Sequence, residues 1–185
     1  MRVLLTSAGL ESKKLRAYFI NMIGKDMTSV KALFIPVAAI DADAVKVLPK
    51  CMDDLLICGI LDENIRVYDL HAGMDPHELR QYDVVYLCGG NTAYLLERVR
   101  ATGFDAALAA YIREEGAVLG VSAGSLIFSD PSLDSLRLIN TTLEVHCTEG
   151  METGRISYPF REPVRLTNTR ALAIRSLPDM VEIVG

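Results

Sequence analysis

The chain is short of the features that would mark it as an anchoring or nucleic-acid-binding protein. No apolar run approaches the ~20 residues needed to span a bilayer. The opening MRVLLTSAGLESKKL lacks the small-residue cleavage site of a secretory signal and reads instead as a first β-strand. Basic residues are outnumbered, with 19 Lys and Arg against 24 Asp and Glu and a net charge of −5. With a pI near 5.2, no basic stripe is available to neutralise phosphates or anionic lipid, which excludes nucleic acid and membrane surfaces as partners. The four cysteines, Cys51, Cys58, Cys88 and Cys147, show no CxxC spacing, and the three histidines are scattered. No metal site and no cofactor is expected from them, and reduced thiols in a cytoplasmic protein are the expectation. No repeat, low-complexity run or flexible linker divides the sequence, so residues 1–185 are expected to form a single domain.

What is present is ordinary globular composition: 185 residues, 50% apolar and 23% charged. Such a chain can bury ~70% of the surface its unfolded form exposes. Apolar runs alternate with helical patterns. Strands are expected at Arg2 to Thr6, Ala32 to Ala38, Ile65 to Leu70, Val84 to Cys88 and Ala117 to Val121. Helical periodicity covers Ser12 to Met22, Asp41 to Ile60, Thr92 to Arg100 and Phe104 to Glu115, with Pro49 expected to kink or split the second of these. Asp75-Pro76 opens a further short helix, and Thr92 is expected to cap the one after Gly89-Gly90-Asn91. Unbroken apolar strands alternating with helices imply a doubly wound, mostly parallel α/β sheet flanked by helices. After Leu143 the pattern changes to short strand-like pieces, Arg155 to Ser157, Val164 to Leu166, Leu172 to Arg175 and Val181 to Val184. These imply a short antiparallel C-terminal addition to the sheet edge.

Ligands of such sheets gather beyond the carboxyl ends of the strands. Two loops fall there. Gly120-Val121-Ser122-Ala123-Gly124 is a GxSxG between an apolar run and a helical stretch, the strand–turn–helix setting of a nucleophile elbow. The bare pattern arises by chance with a probability of about 0.06, so the setting carries the argument. A sharp turn would expose Ser122 on a strained backbone and aim the Ala123 N–H at a developing oxyanion. The bland alternative is a tight βα turn whose serine caps a helix. Gly89-Gly90-Asn91-Thr92 supplies either further oxyanion donors, a positive-φ turn, or a phosphate cradle. The last is weakened by the absence of GxxxxGK[ST] and GxGxxG. A serine needs a base; His71, His77 and the strand-end His146 are the candidates.

Together the GGNT loop, the GxSAG elbow and the Leu133-Asp134-Ser135-Leu136-Arg137-Leu138 segment before a strand-end histidine resemble the peptidase E family. This is a family of serine peptidases including aspartyl dipeptidases, with cyanophycinase a more distant relative. The resemblance implies a class I glutamine amidotransferase-like fold, Ser122 as nucleophile, His146 as general base, and oxyanion or substrate contacts from Gly89, Gly90, Asn91 and Ala123. In the family a loop after the elbow bears the acid of a triad. Here that stretch is Ser129-Asp130-Pro131-Ser132, leaving Asp130 as the acid nearest the right place. Glu144, two residues before His146 and on the same side of a strand, is its rival. A Ser–His dyad oriented by a backbone carbonyl is a third arrangement. The family's substrate-holding arginine follows its histidine on a helix; Arg155 and Arg161 stand in that region of this chain.

The function implied is cleavage of dipeptides or other small amides, with an N-terminal aspartyl preference carried by the resemblance. A homodimer is left open. The alternative is a catalytically silent amidotransferase-like domain that binds a metabolite or a protein partner.

Overall fold

The computed structural model describes residues 1–129 and 135–185. Five apolar strands form its parallel centre: β1 (Arg2–Thr6), β2 (Ala32–Ile35), β3 (Ile65–Val67), β4 (Val84–Leu87) and β5 (Ala117–Val121). Their order is β3-β2-β4-β5-β1, every neighbouring pair parallel. β9 (Ala171–Ser176) then joins β1 antiparallel, followed by β10 (Met180–Val184) and β7 (Gly154–Arg155). The mostly parallel sheet and its antiparallel C-terminal extension follow the expectation from sequence. One piece does not. β8 (Val164–Arg165) leaves the large sheet and pairs in parallel with β6 (Leu143–Glu144) as a separate two-stranded ribbon.

Helices cover both faces. On one, α1 (Lys13–Ile23) and α2 (Ala42–Ile57) enclose Leu15, Phe19, Leu55 and Tyr86. On the other, α4 (Thr92–Ala101) and α5 (Phe104–Arg113) bury Leu95, Phe104 and Leu108 against Val85, Leu87 and Val118. Caps set the helix starts. Ser12 accepts from the Leu15 N–H, and Asp41 accepts from the N–H groups of Asp43 and Ala44. Asp75 caps the short α3 (Pro76–Leu79) with Pro76 at its first position.

Two local expectations are corrected. Pro49 does not split α2, which runs unbroken through it; packing of its inner face at Cys51 and Leu55 holds it together despite the hydrogen bond proline cannot donate. The cap of α4 is Asn91, whose side chain accepts from the Tyr94 N–H, and Thr92 is already helical. Among the described residues no helix is long and apolar enough to cross a membrane.

Candidate active site

The carboxyl ends of β1, β4 and β5 are adjacent because these strands neighbour one another across the sheet. Three loops therefore meet: Ser7-Ala8 after β1, Gly89-Gly90 after β4, and Ser122 after β5. Ser122 sits between β5 and the short α6 (Ala123–Leu126) at φ +49°, ψ −111°, a conformation a residue with a side chain rarely adopts. The surroundings fix it there. Its N–H donates to the Thr6 carbonyl at 3.0 Å, and its own carbonyl accepts from Ser125 and Leu126 at 2.8 and 2.9 Å. A Cβ on Gly120 would stand 2.6 Å from the Gly124 carbonyl oxygen, and one on Gly124 would stand 2.1 Å from that of Leu87. Both glycines of the motif are thus required by close backbone approach, as the elbow reading demands.

The β4 loop is equally constrained. Gly90 has φ +138°, and a Cβ there would lie 2.0 Å from the Ala38 carbonyl oxygen. Asn91 donates its backbone N–H to the Ala38 carbonyl at 2.7 Å, and its side-chain oxygen accepts from the Tyr94 N–H at the α4 cap. The N–H groups of Gly89 and Gly90 accept no such commitment among the described residues. Ala123, the first helical residue of α6, has no acceptor within that helix. Gly89 lies directly against Ser122, whose Cβ would be 3.2 Å from a Cβ placed on it.

His146 arrives from the two-stranded ribbon. Parallel pairing of Leu143 with Val164 and Glu144 with Arg165 carries both chains on together, with the Cys147 N–H bonded to the Leu166 carbonyl. His146 and Asn168 are thereby delivered to one place. Nε2 of His146 is 3.0 Å from Ser122 Oγ, and Nδ1 is 3.0 Å from Asn168 Oδ1. Ser7 clamps the pair: its Oγ accepts from the His146 backbone N–H at 2.5 Å and donates to Asn168 Oδ1 at 3.2 Å. An acceptor opposite Nδ1 assigns the ring proton to Nδ1 and leaves the Nε2 lone pair facing Ser122.

Among the described residues the position beside Nδ1 is held by Asn168 and not by Glu144. Asp130 lies outside them. Glu144 lines an exposed groove with Glu162 and Arg165. The alternation argument for it fails because β6 ends at Glu144 and His146 has φ +58°, turning its side chain out of strand register. Asn168 was missed because a Thr-Asn-Thr stretch between strands reads as a turn, and nothing local distinguishes a turn asparagine from a histidine partner. His71 and His77 are both exposed and do not line the cavity beside Ser122; His71 is bonded to Asp69 and His77, on α3, to Arg80.

Ser122, His146, Gly89 and Gly90 line a cavity of about 190 Å³ whose opposite wall is α2, through Ala44, Val47, Leu48, Lys50, Cys51 and Asp54. Those positions recur at helical spacing and share one face. Asp54 is 8% exposed, and its Oδ2 accepts from the Leu10 N–H at 3.0 Å and the Tyr86 hydroxyl at 2.8 Å. Burial pushes its carboxyl above the usual range, against the opposing pull of those two bonds. Arg155 and Arg161 do not line this cavity; Arg155 pairs with Glu182 at the far edge of the sheet. A larger cavity of about 480 Å³ between α5 and residues 135–138 contains none of these groups.

Fold and site together define an α/β protein of the peptidase E type. Residues 3–142 match the model of peptidase family S51, and the chain belongs to that family. The match includes the Gly89–Asn91 loop and Ser122 and stops before His146. Over 122 residues the chain is 29% identical to the uncharacterized peptidase Lmo0363 of Listeria monocytogenes, spanning 66% of this chain and 57% of that protein. The fold is shared with a protein of L. monocytogenes EGD-e provisionally termed peptidase E, at a TM-score of 0.73 and 22% identity, over 98% of this chain and 96% of that one. It is shared also with a peptidase from an acI-B1 Actinobacterium, at 0.67 and 16%, over 100% and 87%.

Proposed function

We propose that the chain is a serine peptidase of small peptides or amides, with Ser122 as nucleophile and His146 as general base. The observation that carries this reading is the 3.0 Å approach of His146 Nε2 to the hydroxyl of a serine at positive φ. In the proposed reaction Ser122 Oγ adds to the substrate carbonyl while Nε2 takes its proton. The N–H groups of Gly89 or Gly90 and Ala123 hold the oxyanion, and the C–N bond breaks as Nε2 returns the proton to the leaving amine. Water, activated by the same imidazole, then releases the acyl group. Asn168 Oδ1 holds the tautomer. It supplies no negative charge, so among the described residues the imidazolium formed in the transition state meets an amide dipole at Nδ1. The small cavity supports a substrate with room for about one residue beside the reacting carbonyl, since pockets for larger ligands run to roughly 300–1,000 Å³.

A fluorophosphonate probe tests this directly. It is expected to label the wild-type chain at Ser122, to leave Ser122→Ala unlabelled, and to label His146→Ala at least 100-fold more slowly, in line with the losses of general-base removal, roughly 10²–10⁴. An unlabelled wild-type protein would sink the peptidase reading and leave a binding domain in its place.

A further inference from the structure

The cavity wall opposite Ser122 carries three ionisable groups that the reaction does not use, Lys50, Cys51 and Asp54. Asp54 is more than nine-tenths buried, on the face of α2 that also presents Ala44, Val47, Leu48, Lys50 and Cys51. Both of its hydrogen bonds fall on Oδ2; among the described residues Oδ1 accepts none. Oδ1 is not sealed inside the protein either, since the described residues hold one buried unpartnered side-chain atom, Ser129 Oγ. Lys50, the cation that lines the same cavity, is engaged by Glu11. At Asp54 that pair offers no compensation, the carboxylate of Glu11 outweighing the ammonium of Lys50. A carboxylate so placed lacks a countercharge, and buried charges are normally paired.

We propose that Asp54 is the anchor for an ammonium group of the substrate, so that this cavity selects small amides bearing a free amine over neutral or acidic ones. This rests on the reading of the cavity as the substrate site. An amine donates a charge-assisted hydrogen bond to Oδ1 and supplies the missing countercharge. An acidic side chain in the same space would meet a like charge, which sets this chain apart from an aspartyl preference. The ammonium can belong to the substrate's terminus or to a basic side chain.

Calorimetry at pH 7 on Ser122→Ala, which cannot turn substrate over, separates these. Glycyl-alaninamide is expected to bind ~10- to 100-fold more tightly than its N-acetyl form, the ratio a charge-assisted hydrogen bond contributes. N-acetyl-lysyl-alaninamide identifies the source: recovered binding assigns a side-chain amine, and continued weak binding assigns the terminal one. Adding Asp54→Asn, which keeps an oxygen for Leu10 and Tyr86, is expected to bring the preference within ~3-fold; the single-variant comparison stands even if the double variant misfolds. Equal binding of free and acetylated ligands, no binding of either, or a preference that survives Asp54→Asn overturns the proposal. Fluorophosphonate labelling of the wild type reports on the nucleophile independently, so a labelled Ser122 with no amine preference rejects the anchor alone.

Discussion

At the scale of single residues the decisive group is Asn168. Loss of the acid in a Ser–His–acid triad costs about 10⁴-fold in kcat because the imidazole takes the wrong tautomer. Here Ser7 Oγ, 3.5 Å from Nδ1, remains as a poorer acceptor when Asn168 is removed. Asn168→Ala is therefore expected to lower kcat by about 10- to 10³-fold, short of the full triad loss, with KM little changed. Glu144→Gln is expected to be silent, because its carboxylate faces a different groove. Steady-state kinetics of the two variants on one amide substrate checks both. A large loss in Glu144→Gln with a silent Asn168→Ala would reverse the assignment. Asp130→Asn belongs in the same series; a triad-sized loss there would make Asp130 the orienting acid.

The elements contribute close backbone packing at their carboxyl ends. Gly90 combines φ +138° with a carbonyl 2.0 Å from the position of a Cβ, and that carbonyl also holds Asn91. Gly90→Ala must push the β4 loop away from Ala38, and with it the donors beside Ser122. The expected result is a loss of about 2 kcal/mol or more in chemical denaturation together with loss of fluorophosphonate labelling. Gly103→Ala is the matched control. Gly103 also has positive φ, at +69°, but no atom lies within 4 Å of a Cβ there. It is expected to cost about 1 kcal/mol from backbone strain alone and to label normally. The parallel strands, the tight turn at Ser122 and the Gly89-Gly90 loop were all legible beforehand, since each rests on apolar runs and turn residues within a few positions. The parallel pairing of β6 with β8 was not: both are two residues long, and their pairing partner is set by what they cross, not by their own pattern.

For the whole molecule, Asp54 links the site to stability. Burial raises its pKa in the fold above the unfolded carboxylate value. The folded state thus holds its proton more tightly than the unfolded chain between those two values, and stability falls as pH rises through that window. Burial sets this response; the Leu10 N–H and Tyr86 on Oδ2 oppose it, Glu11 adds to it and Lys50 opposes it. Denaturation midpoints of the wild type are expected to decline from the ordinary carboxylate range upward relative to Asp54→Asn, whose curve lacks this contribution. A wild-type profile parallel to that of the variant would show that Asp54 titrates alike in both states. Saturation with an amine ligand is expected to flatten the decline, because the ammonium stabilises the ionised carboxylate.

The sequence by itself determined the alternation of strands and helices, the strained serine and the glycines around it, because each depends on neighbours within a single turn or strand. Tertiary structure alone decided the rest of the site. Ser7, His146 and Asn168 are separated by 139 and 22 residues and meet only because β1 lies at the centre of the sheet while the β6–β8 ribbon crosses its carboxyl edge. Asp54 likewise reads as one of three acids, with Asp43 and Asp53, on an amphipathic helix. It becomes a buried, half-satisfied carboxylate only when α2 closes over the cavity, for burial is a property of what packs against a residue and leaves no trace in its local sequence.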